Sequence, residues 1–175
     1  MDKLVFCPVC GSDRFAISSC NSKKCGCCGF ELFMNASSAN VAIITNHEGK
    51  ILLTRRKNNP AKGTLDLPGG FATHGETAEE GVRREVMEET GLTVTSARYL
   101  FSLPNVYSYS GIDIHTLDLF FECEVSDCHD LRAADDAEEC MWIDPRDIDT
   151  SLIGLRSIRK GMEMYLRQNG HITTL

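Results

Sequence analysis

Three glutamates within one short stretch are the residues of this sequence whose spacing most clearly indicates chemistry. Glu85, Glu88 and Glu89 stand at positions i, i+3 and i+4, so on a helix they share one face. Three adjacent carboxylates repel one another, and near a helix C-terminus the dipole disfavours each negative charge by about 0.3–1 kcal/mol. A bound divalent cation would neutralise the cluster. Because the ligands are oxygens and no histidine accompanies them, the pattern favours Mg²⁺ or Mn²⁺ over zinc.

The helix that carries these carboxylates is predicted over residues 78–90. Thr77 followed by Glu80 is typical of a capping box, and Gly91 is typical of a helix stop. Gly81 falls on the same face as the glutamates, where we expect it to leave space for metal and substrate. The alternative interpretation is a solvated acidic helix face, which is the usual meaning of a run of charges.

The stretch from Gly70 to Leu92 also fits a longer pattern, G-x5-E-x7-R-E-U-x-E-E-x-G-U, in which U is an aliphatic residue. This pattern is the Nudix box, and the sequence resembles Nudix hydrolases at every position of it. The resemblance implies an α+β fold, namely an α/β/α sandwich with a mixed sheet. It also implies hydrolysis of a nucleoside diphosphate linked to another moiety, so that the partner is a small-molecule nucleotide substrate.

The same resemblance implies catalytic roles for individual residues of the box. Arg84 and Glu76 are the implied pair that orients the loop and the carboxylates. The implied ligands of catalytic Mg²⁺ or Mn²⁺ are one backbone carbonyl and three side chains: Gly70, Glu85, Glu88 and Glu89.

Two C-x2-C-G motifs near the N-terminus indicate a second metal site. Fourteen residues separate the motifs, and each can aim two thiolates at one ion, as in tetrahedral Cys₄ zinc sites. The predicted structural zinc ligands are Cys7, Cys10, Cys25 and Cys28. Cys20 and Cys27 lie close enough in the sequence to replace one of these ligands. Free or redox-active thiols are the alternative, which the second matching motif disfavours.

The remaining cysteines and the hydropathy pattern bear on location. Cys123, Cys128 and Cys140 follow no spacing rule, and nine cysteines are an odd number. With no secretory segment at the start of the chain, this count predicts a reducing cytoplasm. No apolar run approaches the ~18 residues that cross a bilayer, so no membrane partner is expected.

Length and charge predict one core of ordinary size with a small added module. The chain has 175 residues, of which 42% are hydrophobic, and a net charge of −7. The predicted domains are a zinc ribbon, residues 1–34, and a Nudix hydrolase domain, residues 38–175, with a polar linker at 35–40. A module of about thirty residues buries too little apolar surface to fold alone, so zinc would stabilise it. The negative charge disfavours a broad nucleic-acid-binding surface.

Five strands and a second helix are predicted in the larger domain. The final helix should run from about residue 151 to 168. The predicted strands cover residues 41–45, 51–56, 65–70, 94–101 and 114–125. Arg55 belongs to the one dense basic stretch near the box. It is a candidate for substrate binding, although solvated loop charge is the plainer interpretation.

Together, the Cys₄ ribbon and the Nudix box resemble the NADH pyrophosphatase-like branch of the family. Of that branch's S-Q-P-W-P-F-P-x-S motif, Ser102 and Pro104 match here, and the tryptophan is missing. Tyr107 and Tyr109 are candidates for stacking on a base or nicotinamide, and equally for core or dimer contacts. Glu139 lies in an E-x-x-W segment and is a candidate general base, with a plain surface acid as the alternative.

The predicted function is metal-dependent hydrolysis of a pyrophosphate bond, with an NADH-like or NAD-like dinucleotide favoured as substrate. An ADP-ribose or nucleoside triphosphate pyrophosphohydrolase is the alternative among enzymes. A non-catalytic zinc-ribbon adaptor that senses a nucleotide is the alternative outside them, and loss of a box carboxylate would favour it. A homodimer is a further possibility that the sequence leaves open.

Overall fold

The computed structural model describes residues 3–109, 111–126 and 131–171, so that Cys128 lies outside the described residues. The first part of the chain forms a small antiparallel sheet of three strands in the order β1-β2-β3. These strands are β1 (Phe15–Ser19), β2 (Ser22–Cys25) and β3 (Glu31–Phe33). The sheet and the turns around it carry all four predicted zinc ligands.

The rest of the described chain contains two helices, seven strands and two short 3₁₀ turns, Pro145–Asp147 and Thr150–Leu152. The helices are α1 (Ala78–Thr90) and α2 (Arg156–Gln168). The strands are β4 (Ser37–Ile44), β5 (Ile51–Arg56), β6 (Leu65–Asp66), β7 (Gly69–Phe71), β8 (Val94–Tyr109), β9 (Ile112–Val125) and β10 (Ala137–Ile143). Neither helix is long and apolar enough to cross a membrane, among the residues that the structure describes.

A four-stranded mixed sheet in the order β7-β4-β9-β8 forms the centre, and β10-β5-β6 form a second, antiparallel sheet. Strands β4 and β9 run parallel, whereas β7 and β8 are antiparallel to their neighbours. Alternate residues of β4 face opposite sides. Ala42 packs with Val82 of α1, and Val41 packs with Ile158 of α2. The sheet therefore lies between the two helices, which confirms the predicted α+β sandwich.

Helix α1 has the boundaries that its sequence predicts. The Thr77 hydroxyl accepts a hydrogen bond from the Glu80 amide, and the Glu80 carboxylate accepts one from the Thr77 amide. Gly91 ends the helix with φ 73°, a left-handed conformation that favours glycine, and its amide donates to the Met87 carbonyl. The helix thus presents its glutamates in a fixed register.

Several predicted boundaries were wrong. Helix α2 begins at Arg156, since residues 150–152 form a 3₁₀ turn instead. The polar stretch 35–40 is only partly a linker, because β4 already begins at Ser37. Strand β8 continues to Tyr109, and β10 was not predicted at all.

Gly81 has a different role from the predicted one. A Cβ atom at this position would collide with the Asn40 side-chain amide and approach a Glu76 carboxylate oxygen to 2.9 Å. The absence of a side chain therefore lets α1 lie close to β4 and to the loop before the helix. Gly81 serves packing, and its face of the helix is covered rather than open.

Candidate active site

A cavity of about 360 Å³ lies where the acidic end of α1 meets the two sheets. All three predicted metal-binding glutamates line it, as do Gly69 and Gly70 of β7. Its other walls come from β4, β5, β6, β8, β9, the start of α2 and the segment that precedes β10. The fold thus joins the helical carboxylates to side chains that are distant in the sequence.

Arg84 connects the carboxylates at the mouth of this cavity. Its guanidinium donates to Glu85 Oε1 at 2.8 Å and to Glu88 Oε2 at 2.9 Å, both through Nη1. Its Nε and Nη2 donate to the two oxygens of Glu76 at 3.0 and 2.9 Å, and Nη2 also donates to the Phe71 carbonyl at 3.2 Å. One cation therefore bridges the loop and the helix, and it relieves the repulsion between Glu85 and Glu88.

Glu76 is held as an anion by this arrangement. Hydrogen bonds from Arg84, followed by one from the Thr73 amide at 2.6 Å, lower the pKa of Glu76 to about 2. The contacts agree with the orienting role that the resemblance implies for this pair.

Glu89, unlike Glu76, forms no ion pair with an arginine or lysine among the described residues. Its side chain is 7% exposed, and Oε2 accepts a hydrogen bond from the Gly69 amide at 3.1 Å. Burial, and secondarily the negative charges of Asp66 and Glu85, raises the pKa of Glu89 to about 9. Burial also raises the pKa of Glu85. Glu89 is buried and has no positively charged partner among the described residues, so a hard divalent cation with oxygen ligands would supply the missing charge.

Gly70 lies where its backbone carbonyl could join these carboxylates as an oxygen ligand. A Cβ atom at Gly70 would lie 2.7 Å from the carboxylate oxygens of Glu85, so glycine leaves this carboxylate the space that it occupies beside β7. Strand β7, which contains Gly70, pairs with β4, and Asn40 lies opposite Gly70. The backbone at Gly70 is thus held beside the helical carboxylates.

Comparison with known proteins agrees with this geometry. The family model described as the NUDIX domain matches residues 34–163. The chain belongs to the Nudix hydrolase family.

Two relatives of this Nudix chain illustrate the different names that its relatives carry. An ADP-ribose pyrophosphatase of Methanocaldococcus jannaschii is 42% identical over 117 residues, covering 66% of this chain and 66% of that protein. A protein of Haemophilus influenzae named NAD-capped RNA hydrolase NudC is 33% identical over 100 residues, covering 57% of this chain but only 38% of that protein. A solved Nudix hydrolase from Nitrosomonas europaea matches with a TM-score of 0.73 and 26% identity, over 94% of this chain and 93% of that chain.

Two acids of the Nudix domain that sequence reasoning left as surface charge line the cavity. Asp135 and Asp136 precede β10, in a segment whose Ala134 amide donates to the Glu89 carbonyl at 3.0 Å. Asp136 Oδ1 accepts from the Asn58 side-chain amide at 2.8 Å. The only signal in the sequence was the position of this acidic pair directly before a strand, and that strand was not predicted.

Glu139 and Arg55, by contrast, do not line the cavity. They lie opposite each other on β10 and β5 and form an ion pair at 3.1 Å, with side chains 57% and 38% exposed. The cavity is lined instead by the next residue of β5, Arg56, because neighbouring strand residues face opposite sides.

Of the three predicted substrate-binding residues of β8, one lines the cavity and two do not. Tyr107 lines the cavity, and its ring meets the Phe71 ring edge to face, with centroids 5.6 Å apart. Tyr109 is 60% exposed and lies outside the cavity, as does Ser102. Tyr107 and Tyr109 are two residues apart and share one side of β8, so position along the strand, and not side, places Tyr109 beyond the cavity.

The four predicted cysteines of the ribbon form a compact cluster. Their sulfur atoms all lie within 4.8 Å of one another, with Cys7 and Cys28 3.7 Å apart and Cys10 and Cys25 3.6 Å apart. Tetrahedral zinc with Zn–S bonds of about 2.3 Å requires sulfur separations of about 3.8 Å, so the cluster fits zinc. Amide donors of Cys28 and Cys27 lower the pKa of the Cys25 thiol to about 6, which favours the thiolate.

Proposed function

We infer that this chain hydrolyses the pyrophosphate bond of a nucleoside diphosphate linked to another moiety, releasing a nucleoside monophosphate. The observation that carries this proposal is the complete carboxylate set around Gly70, in which Glu89 is buried without a positively charged partner among the described residues. A nucleotide-sensing adaptor without activity is disfavoured because no carboxylate of the box has been lost.

ADP-ribose and a dinucleotide such as NADH are the substrates we propose. The name of the Methanocaldococcus jannaschii relative favours ADP-ribose. The zinc ribbon favours a dinucleotide, whereas the missing tryptophan of the dinucleotide motif favours a wider range. The edge-to-face pair of Tyr107 and Phe71 offers an aromatic surface for a base or nicotinamide.

In the proposed mechanism the box residues would hold a cation beside the diphosphate. Glu85, Glu88, Glu89 and the Gly70 carbonyl would hold Mg²⁺ or Mn²⁺. When bound, the ion supplies charge neutralisation of the diphosphate and activation of water. Arg84 fixes the orientation of the carboxylates through the contacts described above.

A proton from the attacking water must pass to a carboxylate of the cavity. Asp135 and Asp136 line the cavity, whereas Glu139 is paired with Arg55 outside it. Asn58 occupies Oδ1 of Asp136, and no hydrogen bond to Oδ2 is found among the described residues, so Asp136 is better placed than Glu139 to accept this proton. Water then forms the new bond to one phosphorus, and the bond from that phosphorus to the bridging oxygen breaks.

A turnover panel tests the proposal. Purified protein is assayed with NADH, NAD⁺, ADP-ribose, dinucleoside polyphosphates and deoxynucleoside triphosphates, each with Mg²⁺ and with Mn²⁺. We expect cleavage of ADP-ribose or NADH above that of any triphosphate, and loss of this cleavage in Glu85→Gln. Glu79→Gln is the matched control, because Glu79 is an exposed residue of the same helix. Equal turnover by Glu85→Gln and wild type would contradict the proposed site.

The remaining parts of the proposal concern organisation. We propose structural zinc in a ribbon of residues 1–34 and a hydrolase domain of residues 38–175. The cytoplasmic location and the homodimer stay predictions from the sequence.

A further inference from the structure

The cavity has a second wall, formed by the face of β8 and β9 that points toward α2. Asn105, Tyr107, Thr116 and Asp118 lie on this wall, because Asn105 pairs with Thr116 and the other two are two residues further along their strands. We call these four residues the α2-side wall. None of them belongs to the Nudix box.

Asp118 is the residue of this wall whose placement needs an explanation. Its side chain is 4% exposed, and its oxygens accept hydrogen bonds from the Thr116 hydroxyl at 2.6 Å and the Ser157 hydroxyl at 2.5 Å. Ser157 is the second residue of α2, so the positive end of that helix faces the carboxylate. No lysine, arginine or histidine of the described residues pairs with it. A buried carboxylate without a cation is costly to maintain in a folded protein.

Both oxygens of Asp118 retain accepting capacity. A carboxylate has about four lone-pair positions, and the two hydroxyls occupy one on each oxygen. Asn105 beside it has no side-chain hydrogen bond among the described residues, so its amide is free to contact a ligand. The wall is therefore built to receive hydrogen-bond donors.

The positive charge near this wall is already paired with carboxylates of the protein. Two cationic side chains line the cavity in the part of the chain that the structure describes, Arg56 and Arg84. Arg56 donates to the Tyr107 hydroxyl at 3.4 Å, but its charge is paired with the buried Asp66 at 2.5 Å. Arg84 is paired with Glu76, Glu85 and Glu88. An anionic group placed beside Asp118 would meet uncompensated negative charge.

We propose that Asp118 determines specificity: it selects, next to the diphosphate, an uncharged moiety that donates hydrogen bonds, and it rejects a moiety that ends in another phosphate. The donors are the amino group of an aminopurine or the hydroxyls of a ribose. This inference rests on the proposed hydrolysis, and it predicts that a nucleoside triphosphate is the poorer substrate. Asp118 binds the flanking moiety and takes no part in the bond-breaking step.

Matched substrates test, on the wild-type protein, whether a further phosphate is rejected. ADP-ribose, ADP-ribose 1″-phosphate and ATP share the adenosine diphosphate part and differ in whether a further phosphate follows. We expect kcat/KM for ADP-ribose to exceed the values for both phosphorylated compounds by at least about 10-fold, the worth of one charge-assisted contact. Replacing ADP-ribose by IDP-ribose, which lacks the amino group, distinguishes base recognition from ribose recognition.

The variant Asp118→Asn tests whether Asp118 causes this substrate preference. It keeps the shape and removes the charge, and we expect the preference for ADP-ribose over ATP to shrink by at least about 10-fold. Asp113→Asn is the matched control, since Asp113 is an exposed residue of the same strand outside the cavity. Thermal unfolding shows whether each variant folds.

Two results would overturn the proposal: an unchanged preference in folded Asp118→Asn, or wild-type protein that accepts ATP as readily as ADP-ribose. The second result decides even when the variant fails to fold. Absence of hydrolysis of every compound would contradict the proposed function instead. Calorimetric binding of the same compounds in Ca²⁺ buffer then measures the selectivity of Asp118 directly, with the same expected ratios.

Discussion

The ribbon and the Nudix domain each bring predicted metal-binding side chains together, but they differ in what holds those side chains in place. In the ribbon the buried cluster consists of Cys7, Phe15 and Cys25, so two of its three members are themselves predicted zinc ligands. In the Nudix domain two apolar clusters flank the central sheet, and the ligand glutamates belong to neither. The comparison teaches that a metal can complete a fold at one site and serve only chemistry at the other.

The largest expected effect is on the ribbon. Cys7→Ser should reduce bound zinc from about one equivalent to none and unfold the N-terminal module, because metal binding supplies most of its folding free energy. Metal analysis and limited proteolysis measure the two outcomes, and residues 38–175 should stay resistant. Cys20→Ser is the control, since Cys20 is exposed and outside the cluster. Zinc-free protein with an intact ribbon would contradict the claim that a metal completes the fold of this module.

The next effect is on catalysis without unfolding. Glu88→Gln should lower kcat by at least about 100-fold, because it removes a charged ligand of the catalytic cation. Glu88 is 46% exposed on its side chain, and the melting temperature should therefore change little. Steady-state kinetics and calorimetry test both statements, with Glu79→Gln as control. A large loss of stability would show that the carboxylate site also supports the fold.

A smaller effect is expected on substrate affinity. Tyr107→Ala should raise KM by roughly 10-fold, which corresponds to about 1–1.5 kcal/mol for one aromatic contact. Tyr109→Ala should change KM little, because Tyr109 lies outside the cavity. The two variants carry the same substitution on one strand. If Tyr109→Ala has the larger effect, the ligand does not occupy this cavity.

The smallest effect concerns pH. In metal-free protein, burial holds the pKa of Glu89 at about 9, whereas the unfolded chain has an ordinary value of about 4.3. The folded state therefore keeps a proton that the unfolded state has lost, and stability falls as pH rises from 6 to 9. Over this range, in EDTA, the melting temperature of wild type should fall by roughly 5 °C more than that of Glu89→Gln. Parallel curves for the two proteins would contradict the assigned pKa.

The features predicted correctly from the sequence are those fixed by local chemistry. The limits of helix α1 were predicted to the residue, because Thr77, Glu80 and Gly91 form the caps themselves. The cysteine cluster was predicted because two short motifs specify four ligands. In both cases the residues that set the structure lie within a few positions of one another.

The features that sequence analysis missed depend on contacts between distant segments. Arg55 and Arg56 are equivalent as sequence, and only the pairing of β5 with β10 decides which one faces the cavity. In the sequence, Asp118 is one polar residue of a strand in which polar and hydrophobic residues alternate. It becomes part of the cavity because β9 lies parallel to β4, with Ala39 opposite it. Such pairings leave no local signal.

The parallel pairing of β4 with β9 also has a consequence for how the protein folds. Ser37 pairs with Thr116, about 80 positions later, and closing so long a loop costs entropy before any contact is gained. The hairpin of β8 and β9 is local by comparison, since Tyr109 pairs with Ile112. The hairpin can therefore form early, while its docking on β4 is slow. Because that docking brings the two walls of the cavity together, activity and sheet structure should recover with one time course during refolding.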